Sequence, residues 1–454
     1  MPTENSNFTT TNGEEYKYKA ALGSGQQADV WQVQRTHDSH KMALKLFKKL
    51  PAQAELYQQQ ERLETIIDVA KEIARTLPQA QVCFPRAIYS SANEFGVLME
   101  LAIGKPLNHD SLLTDPYDQP NPFISAALRS VLSNYDKYHH FLLAGFYLSQ
   151  ALRMIHSHGM THCDLSLGNV FFNTSDGSIC LIDCDNLACG NSNYLPVKVA
   201  GTPGFRAPEL ITAQHPHPSA ETDRHSLAVL LFYLVMFRHP FIGDVDPNFN
   251  LDYMTEDEGL GTSAIFTEHP TDSRNRFTTN GIPFAHLPKS MQTRFQQVFT
   301  IGLKNPTKRH SAATWAREFW QALECMAECS NCHQRFFISD QNCTCLFCDT
   351  KHPNKRWYLK FSNGTKILAT HGRKLYEHHL DNQEFQFKRP MAEIKETPER
   401  GMTLKNLSND TWIVHLASGR QLRCKRNHAF RFVGVRAFDF AHGRVSIEPM
   451  TNSI

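Results

Sequence analysis

An aspartate, an asparagine five residues after it and a further aspartate beyond a hairpin pattern fall within THCDLSLGNVFFNTSDGSICLIDCD, residues 161–185. Oxygen-bearing side chains in that row suit phosphoryl transfer. The transferred phosphate carries most of the charge, so the protein must hold Mg²⁺ with two side-chain oxygens and orient the attacking hydroxyl with a third. Asn169 and Asp183 suit the metal, and Asp164 suits the hydroxyl. The apolar runs Val170 to Phe172 and Ile179 to Ile182, joined by Asn173-Thr174-Ser175-Asp176-Gly177, read as the two strands that bring these groups together.

A phosphate donor needs its own cradle, and one candidate lies near the N-terminus. In YKAALGSGQQADVWQVQRTHDSHKMALKLF, residues 18–47, two alternating strand patterns flank a glycine turn and a third carries Ala43-Leu44-Lys45. Gly23 and Gly25 let backbone N–H groups approach a triphosphate, and Lys45 can reach its oxygens. A glycine turn alone is more often just a hairpin; its weight comes from Lys45 downstream and the acidic stretch beyond.

Other elements must position these groups. The first fifteen residues are polar and read as a disordered tail. From about Ala52 to Leu77, Leu56, Leu63, Ile66, Ile67, Ala70, Ile73 and Leu77 share one helical face. CFPRAIYS and FGVLMEL read as two strands, 107–122 is polar and turn-rich, and a helix from about Phe141 to His158 leads into the acidic stretch. Thr222-Asp223-Arg224 precedes the apolar run SLAVLLFYLVMF, with Asp223 read as its N-cap.

Composition excludes several classes. The 454 residues suggest two to four domains, and 47 Lys plus Arg balance 45 Asp plus Glu, which argues against nucleic acid or an anionic membrane as the main partner. The longest apolar run, Leu227 to Phe237, has 11 residues against the roughly 20 that cross a bilayer. With no signal pattern at the N-terminus, the chain reads as soluble and cytoplasmic. Six of the 12 cysteines crowd between Cys325 and Cys348. Cys329 and Cys332 form one CxxC knuckle and Cys345 and Cys348 another, a spacing for structural Zn²⁺, although Cys343 could replace Cys345. From Arg356 short alternating runs with glycine turns read as an antiparallel β-module, in which His378 and His379 are structural rather than metal ligands. The basic run Arg420 to Arg426 is either a solvated strand face or a patch for an acidic partner.

HCDLSLGN and DCD resemble the protein-kinase catalytic loop and metal-binding motif, and the glycine turn resembles the loop that covers the nucleotide, with Ala28 in place of its third glycine. The resemblance implies an α+β, two-lobed kinase-like fold followed by a zinc ribbon and an antiparallel β-rich domain. Its divisions are a tail (1–15), an N-lobe (16–103), a C-lobe (104–324), the ribbon (325–352) and the β-module (353–454). ATP would meet Gly23, Gly25, Val30, Ala43, Lys45 and Met99, with the Glu100 carbonyl and Ala102 N–H on the adenine edge. Asn169 and Asp183 would hold Mg²⁺, and Glu64, favoured over Glu61 and Glu72, would pair with Lys45. His162 would prop the catalytic loop, Asp223 would reach back to its backbone, and Glu209 of GTPGFRAPEL would pair with Arg309. Cys163, Ser166 and Asp185 depart from the kinase pattern; Asp185, in place of a glycine, either adds a metal oxygen or restricts the loop.

Together with RHPF, HPTDSRNRF, the paired CxxC and LYEHHL followed by LKNLSNDTW, these motifs resemble bacterial kinases of tellurium-resistance and stress loci. That resemblance implies a Ser/Thr kinase acting on a von Willebrand-type protein, opposed by a metal-dependent phosphatase. The alternative is a nucleotide-binding scaffold that assembles partners without transfer; a small-molecule kinase or nucleotidyl transferase fits an APE-type segment less well.

Overall fold

The computed structural model describes residues 4, 6–25, 27–50, 52–73, 80–108, 138–189, 201–212, 217–243, 259–278, 282–338, 343–352, 356–380 and 385–449. The expected turn-rich stretch 107–122 and Leu77 of the helix pattern lie mostly or wholly outside them. Two compact units are present, 1–319 and 320–454.

The first unit begins with an antiparallel sheet built from β1 (Asn7–Thr9), β2 (Glu15–Ser24), β3 (Ala28–Arg35) and β4 (Lys41–Phe47). A helix, Gln53–Ile73, then leads to β5 (Ala80–Val82), β6 (Pro85–Ser90) and β7 (Phe95–Glu100), and the sheet order is β1-β2-β3-β4-β7-β6. Period-two alternation sends Tyr16, Tyr18, Met42, Leu44 and Leu98 to one core and Val97 and Met99 to another, which also takes Leu63 of the helix. The tail expected to be disordered is corrected here. Phe8 is buried against Tyr16, Tyr18 and Tyr89, and β1 pairs with the start of β2. One apolar side chain among polar neighbours suffices because it closes an aromatic cluster. Thr11 then bonds the Ile88 carbonyl through its N–H (2.9 Å) and hydroxyl (3.1 Å), so this segment bridges the sheet's first and last strands.

A second sheet, β5-β11-β10-β8, contains the acidic hairpin: β8 is Lys105–Pro106, β10 Val170–Phe172 and β11 Ile179–Leu181. Parallel pairing of β5 with β11 ties it to the segment after the first helix. Below it the helix Tyr138–Ser157 packs on the helix Ala220–Met236, whose Leu227 to Met236 are all buried. The apolar run is thus core on every side, and no described helix is long and apolar enough to cross a membrane. The cap of that helix is Ser219, in a capping box with Thr222; Asp223, expected as the cap, lies one turn in.

The second unit starts with the hairpin β13 (Met326–Glu328) and β14 (Arg335–Phe337), which carries the first cysteine pair. Beyond it are β15 (Trp357–Phe361), β16 (Lys366–Leu368), β17 (Lys374–Leu375), β18 (Ala392–Thr397), β19 (Gly401–Asn406), β20 (Trp412–Leu416), β21 (Gln421–Cys424), β22 (Ala429–Arg431), β23 (Val435–Phe440) and β24 (Gly443–Pro449). They form a six-stranded sheet, β16-β15-β24-β23-β20-β21, and a four-stranded one, β17-β18-β19-β22, which share a core of Leu359, Ile394, Leu404, Trp412, Val414 and Phe438. His378 and His379 lie in a 3-10 turn, stacked 4.3 Å apart, and belong to no described metal-holding cluster.

Candidate active site

Strand register builds the upper wall of the cleft. Lys45 lies opposite Val30 on one side and Val97 on the other, while Ala43 lies opposite Met99, so Ala43 and Lys45 share a sheet face. The turn between β2 and β3 is closed by the Gly25 N–H on the Ala28 carbonyl, at 2.9 Å. A Cβ at Gly23 would meet nothing within 4 Å, and one at Gly25 only the Ala28 carbonyl at 3.6 Å. Neither glycine is demanded by packing or by positive φ, which leaves open backbone beside Lys45. At the end of β7, the Glu100 side chain turns to His40 (3.2 Å) and Arg86 (3.2 Å), and Ala102 follows outside any helix or strand.

The lower wall is held by side chains on backbone. Asp223 accepts from the His162 N–H at 2.7 Å and the Cys163 N–H at 3.0 Å, and His156 Nε2 lies 2.9 Å from it. His162 donates to the Ile182 carbonyl at 3.0 Å, so this histidine props the loop as expected. These bonds hold Cys163 at φ 73°, a left-handed backbone that side chains seldom adopt. Asp164, next in the chain, is half-buried. Its Oδ1 accepts from the Thr202 N–H (2.8 Å) and hydroxyl (2.7 Å), and the Asn169 amide donates to its carbonyl (2.8 Å) and to Oδ2 (3.3 Å).

Asp183, also left-handed at φ 62°, receives Lys45 Nζ on one oxygen and the Asn186 amide on the other. Lys45 donates as well to Asp185, at 2.9 Å. Burial disfavours the Lys45 charge, yet Asp185 and Asp183 outweigh it and raise the pKa; burial would lift Asp183, and Lys45 holds it down instead. Asp185, more deeply enclosed, is raised by burial despite Lys45.

Glu64 does not join them, a correction to the expected pair. It is exposed, because Leu63, Ile66 and Ala70 claim the buried face and turn it outward. Arg62 occupies the inward flank: burial lowers its pKa, and the charge of Asp185 is the leading effect opposing that. The sequence reading missed Arg62 and Thr202. A one-residue phase error rotates a helix by 100°, and Thr202 precedes Pro203 in a segment with no periodicity.

Lys45 on Asp183 and Asp185, and Asn169 and Thr202 on Asp164, are the contacts that make up the candidate site. The model of the protein kinase domain matches residues 16–320. The chain belongs to the protein kinase family. Over 109 residues, 23% of this chain and 16% of its relative, the kinase is 32% identical to the DNA damage-responsive serine/threonine-protein kinase RqkA of Deinococcus radiodurans. Over 234 residues, 50% of this chain and 41% of the relative, it is 23% identical to serine/threonine-protein kinase D of Synechocystis sp.. It is also 35% identical over 92 residues, 20% of this chain and 13% of the relative, to the cell cycle serine/threonine-protein kinase CDC5/MSD2 of Saccharomyces cerevisiae. The chain thus spans less than half the length of each.

Two further pieces of this kinase are built as expected. Arg309 donates twice to Glu209 at 2.7 Å and again to the Gly302 carbonyl, all buried, and to the part-buried Glu221 carbonyl. In the second unit, the Sγ atoms of Cys329, Cys332, Cys345 and Cys348 lie within 4.8 Å of one another. The two knuckles repeat one geometry: His333 N–H on the Cys329 carbonyl and Asp349 N–H on that of Cys345, both 3.0 Å, with His333 and Asp349 left-handed. The Asn331 and Phe347 N–H groups point at the sulfurs of Cys329 and Cys345, at 3.5 and 3.4 Å. Four thiolates so placed are compatible with Zn²⁺, whose Zn–S bonds of about 2.3 Å set tetrahedral edges near this spacing. Cys343 is outside the set.

Proposed function

We propose that this protein kinase transfers the γ-phosphate of ATP to Ser or Thr hydroxyls of a partner protein. The carrying observation is that Lys45, far away in sequence, reaches Asp183 of the acidic stretch, while Asn169 and Thr202 both bond the Asp164 carboxylate. Thr202 fixes one oxygen of Asp164, and the other, bonded at 3.3 Å by Asn169, is the one placed to receive the hydroxyl proton. Asn169 and Asp183 supply metal oxygens, Lys45 places the α- and β-phosphates, and the Gly23 and Gly25 backbone covers them. Val30, Ala43 and Met99 flank the adenine, and the Glu100 carbonyl and Ala102 N–H bind its edge. Asn169 and Asp183 would hold Mg²⁺, which would supply neutralisation of the phosphate charge. The lobe, ribbon and β-module boundaries, the Zn²⁺ in the cysteine site, and a cytoplasmic, stress-related role of the tellurium-resistance type belong to this proposal. So do a von Willebrand-type acceptor and an opposing metal-dependent phosphatase.

Incubation of the full chain with radiolabelled ATP, Mg²⁺ and the products of neighbouring genes, followed by mass-spectrometric site mapping, tests the reading. Transfer is expected and should vanish in Asp164→Ala and Asp183→Ala; label that survives both defeats it. The exposure of Glu64 favours the scaffold as a second reading. It predicts thermal stabilisation by ATP with no transfer to any protein.

A further inference from the structure

We propose that Asp185 is the positioning residue that holds Lys45 against the nucleotide phosphates, the task for which the helix Gln53–Ile73 supplies no acid. The inference rests on the kinase reading above and assigns a role to the residue where that family's motif has glycine.

Lys45 is shared by two carboxylates, and their surroundings divide the work. The Asp183 side chain keeps 24% of its exposure and that of Asp185 only 1%. Mg²⁺ dehydrates reluctantly and keeps several waters. It therefore needs an acid that solvent reaches, which is Asp183. Asp185 is sealed from a hydrated ion, so its neighbour within reach is the ammonium group, at 2.9 Å.

The helix shows why such a carboxylate is needed. Glu64 and Glu72 are exposed, and no described helix acid pairs with Lys45. The flank that turns inward presents Arg62, a cation that would repel the lysine if nothing lay between them. Asp185 offsets both cations: it bonds Lys45 at 2.9 Å, and its charge favours the protonated Arg62. Its Oδ2 is buried with no hydrogen-bond partner among the described residues, and the same holds for Arg62 Nε. Lys45, Arg62, Asp183 and Asp185 sum to zero. When a metal draws Asp183 away, Lys45 keeps Asp185 as its counter-ion. The link from helix to lysine is thereby retained with its sign reversed: a helix cation acting through an acid of the metal motif.

A double-mutant cycle on the full-length protein tests this. MgATP affinity is measured by competition with a fluorescent ATP analogue for Lys45→Met, Asp185→Asn and the pair, with kcat/KM for ATP alongside. Affinity is readable in a chain that transfers nothing, so loss of the kinase reading, seen as no transfer by the unaltered protein, stays separate from loss of this one. Each single substitution should weaken MgATP about tenfold and the pair no further, since both act through one contact. The Mg²⁺ concentration for half-maximal binding should be unchanged in Asp185→Asn and raised in Asp183→Asn. Additive losses, an unaltered affinity in Asp185→Asn, or a raised Mg²⁺ requirement in that variant would overturn the proposal. Asp185→Gly carries the same cycle if Asp185→Asn does not fold.

Discussion

At the scale of single residues, the site is a set of side chains fixed both by backbone and by one another. Thr202 is the sharpest case, since its N–H and hydroxyl converge on one oxygen of Asp164. Thr202→Ser keeps both donors and should leave kcat within about twofold, whereas Thr202→Val loses the hydroxyl and should lower kcat about tenfold with little change in KM for ATP. Steady-state kinetics on one acceptor separates the two. Lys45, Asp164, Asn169 and Asp183 could be singled out in the sequence because phosphoryl transfer restricts both residue type and spacing, and the structure pairs Lys45 with Asp183 and Asn169 with Asp164. The contact of Lys45 with Asp185 was not legible there, because the two lie 140 positions apart and burial alone sets Asp185 off from Asp183.

At the scale of elements, two buried charges join pieces that propensity alone would leave loose. Asp223, inside the first turn of its helix, caps nothing in that helix and instead organises the loop at Cys163. Glu209 and Arg309, 100 positions apart, are both buried, so Glu209→Ala strands an uncompensated guanidinium. A loss of about 3–5 kcal/mol in urea unfolding is expected, and Glu209→Gln should recover part of it. The long apolar helix, the hairpin β20–β21 and the paired knuckles could be read from pattern. β24 was harder: its partner β15 comes from a distant chain position, with Phe361 opposite Val445, whereas β18 pairs with its neighbour β19.

For the whole molecule, acid should act on each unit through groups held in unusual states. His239, buried in the first unit, is depressed to about 4 by burial. Below pH 6.5 the unfolded chain takes that proton first, so stability falls as pH drops from about 6.5 toward 4, by roughly 3 kcal/mol in full. In the second unit burial would raise Glu324, but Arg373 and His379 hold it down to about 2. Its contribution is present above about 4.5 and lost as pH falls toward 2. Thermal unfolding across pH 7 to 3 should show both declines; a flat profile would contradict the buried states. Metal removal addresses the second unit alone: a chelator should release about one Zn²⁺ per chain and lower that unit's melting temperature, read by elemental analysis and calorimetry. The second unit, from residue 320, holds the cysteine pairs and alternating runs whose spacing already stood out in the sequence.

The short segment around Phe8 and Thr11 has a practical corollary. Family matching begins at residue 16, so anyone trimming the gene to that boundary would discard the strand that covers β2 and the clasp on Ile88. Such a shortened protein would present bare ladder donors and an uncovered tyrosine face to its neighbours in solution. It should precipitate or self-associate at concentrations where the full chain stays monodisperse in light scattering, and Phe8→Asp should reproduce that behaviour without any trimming.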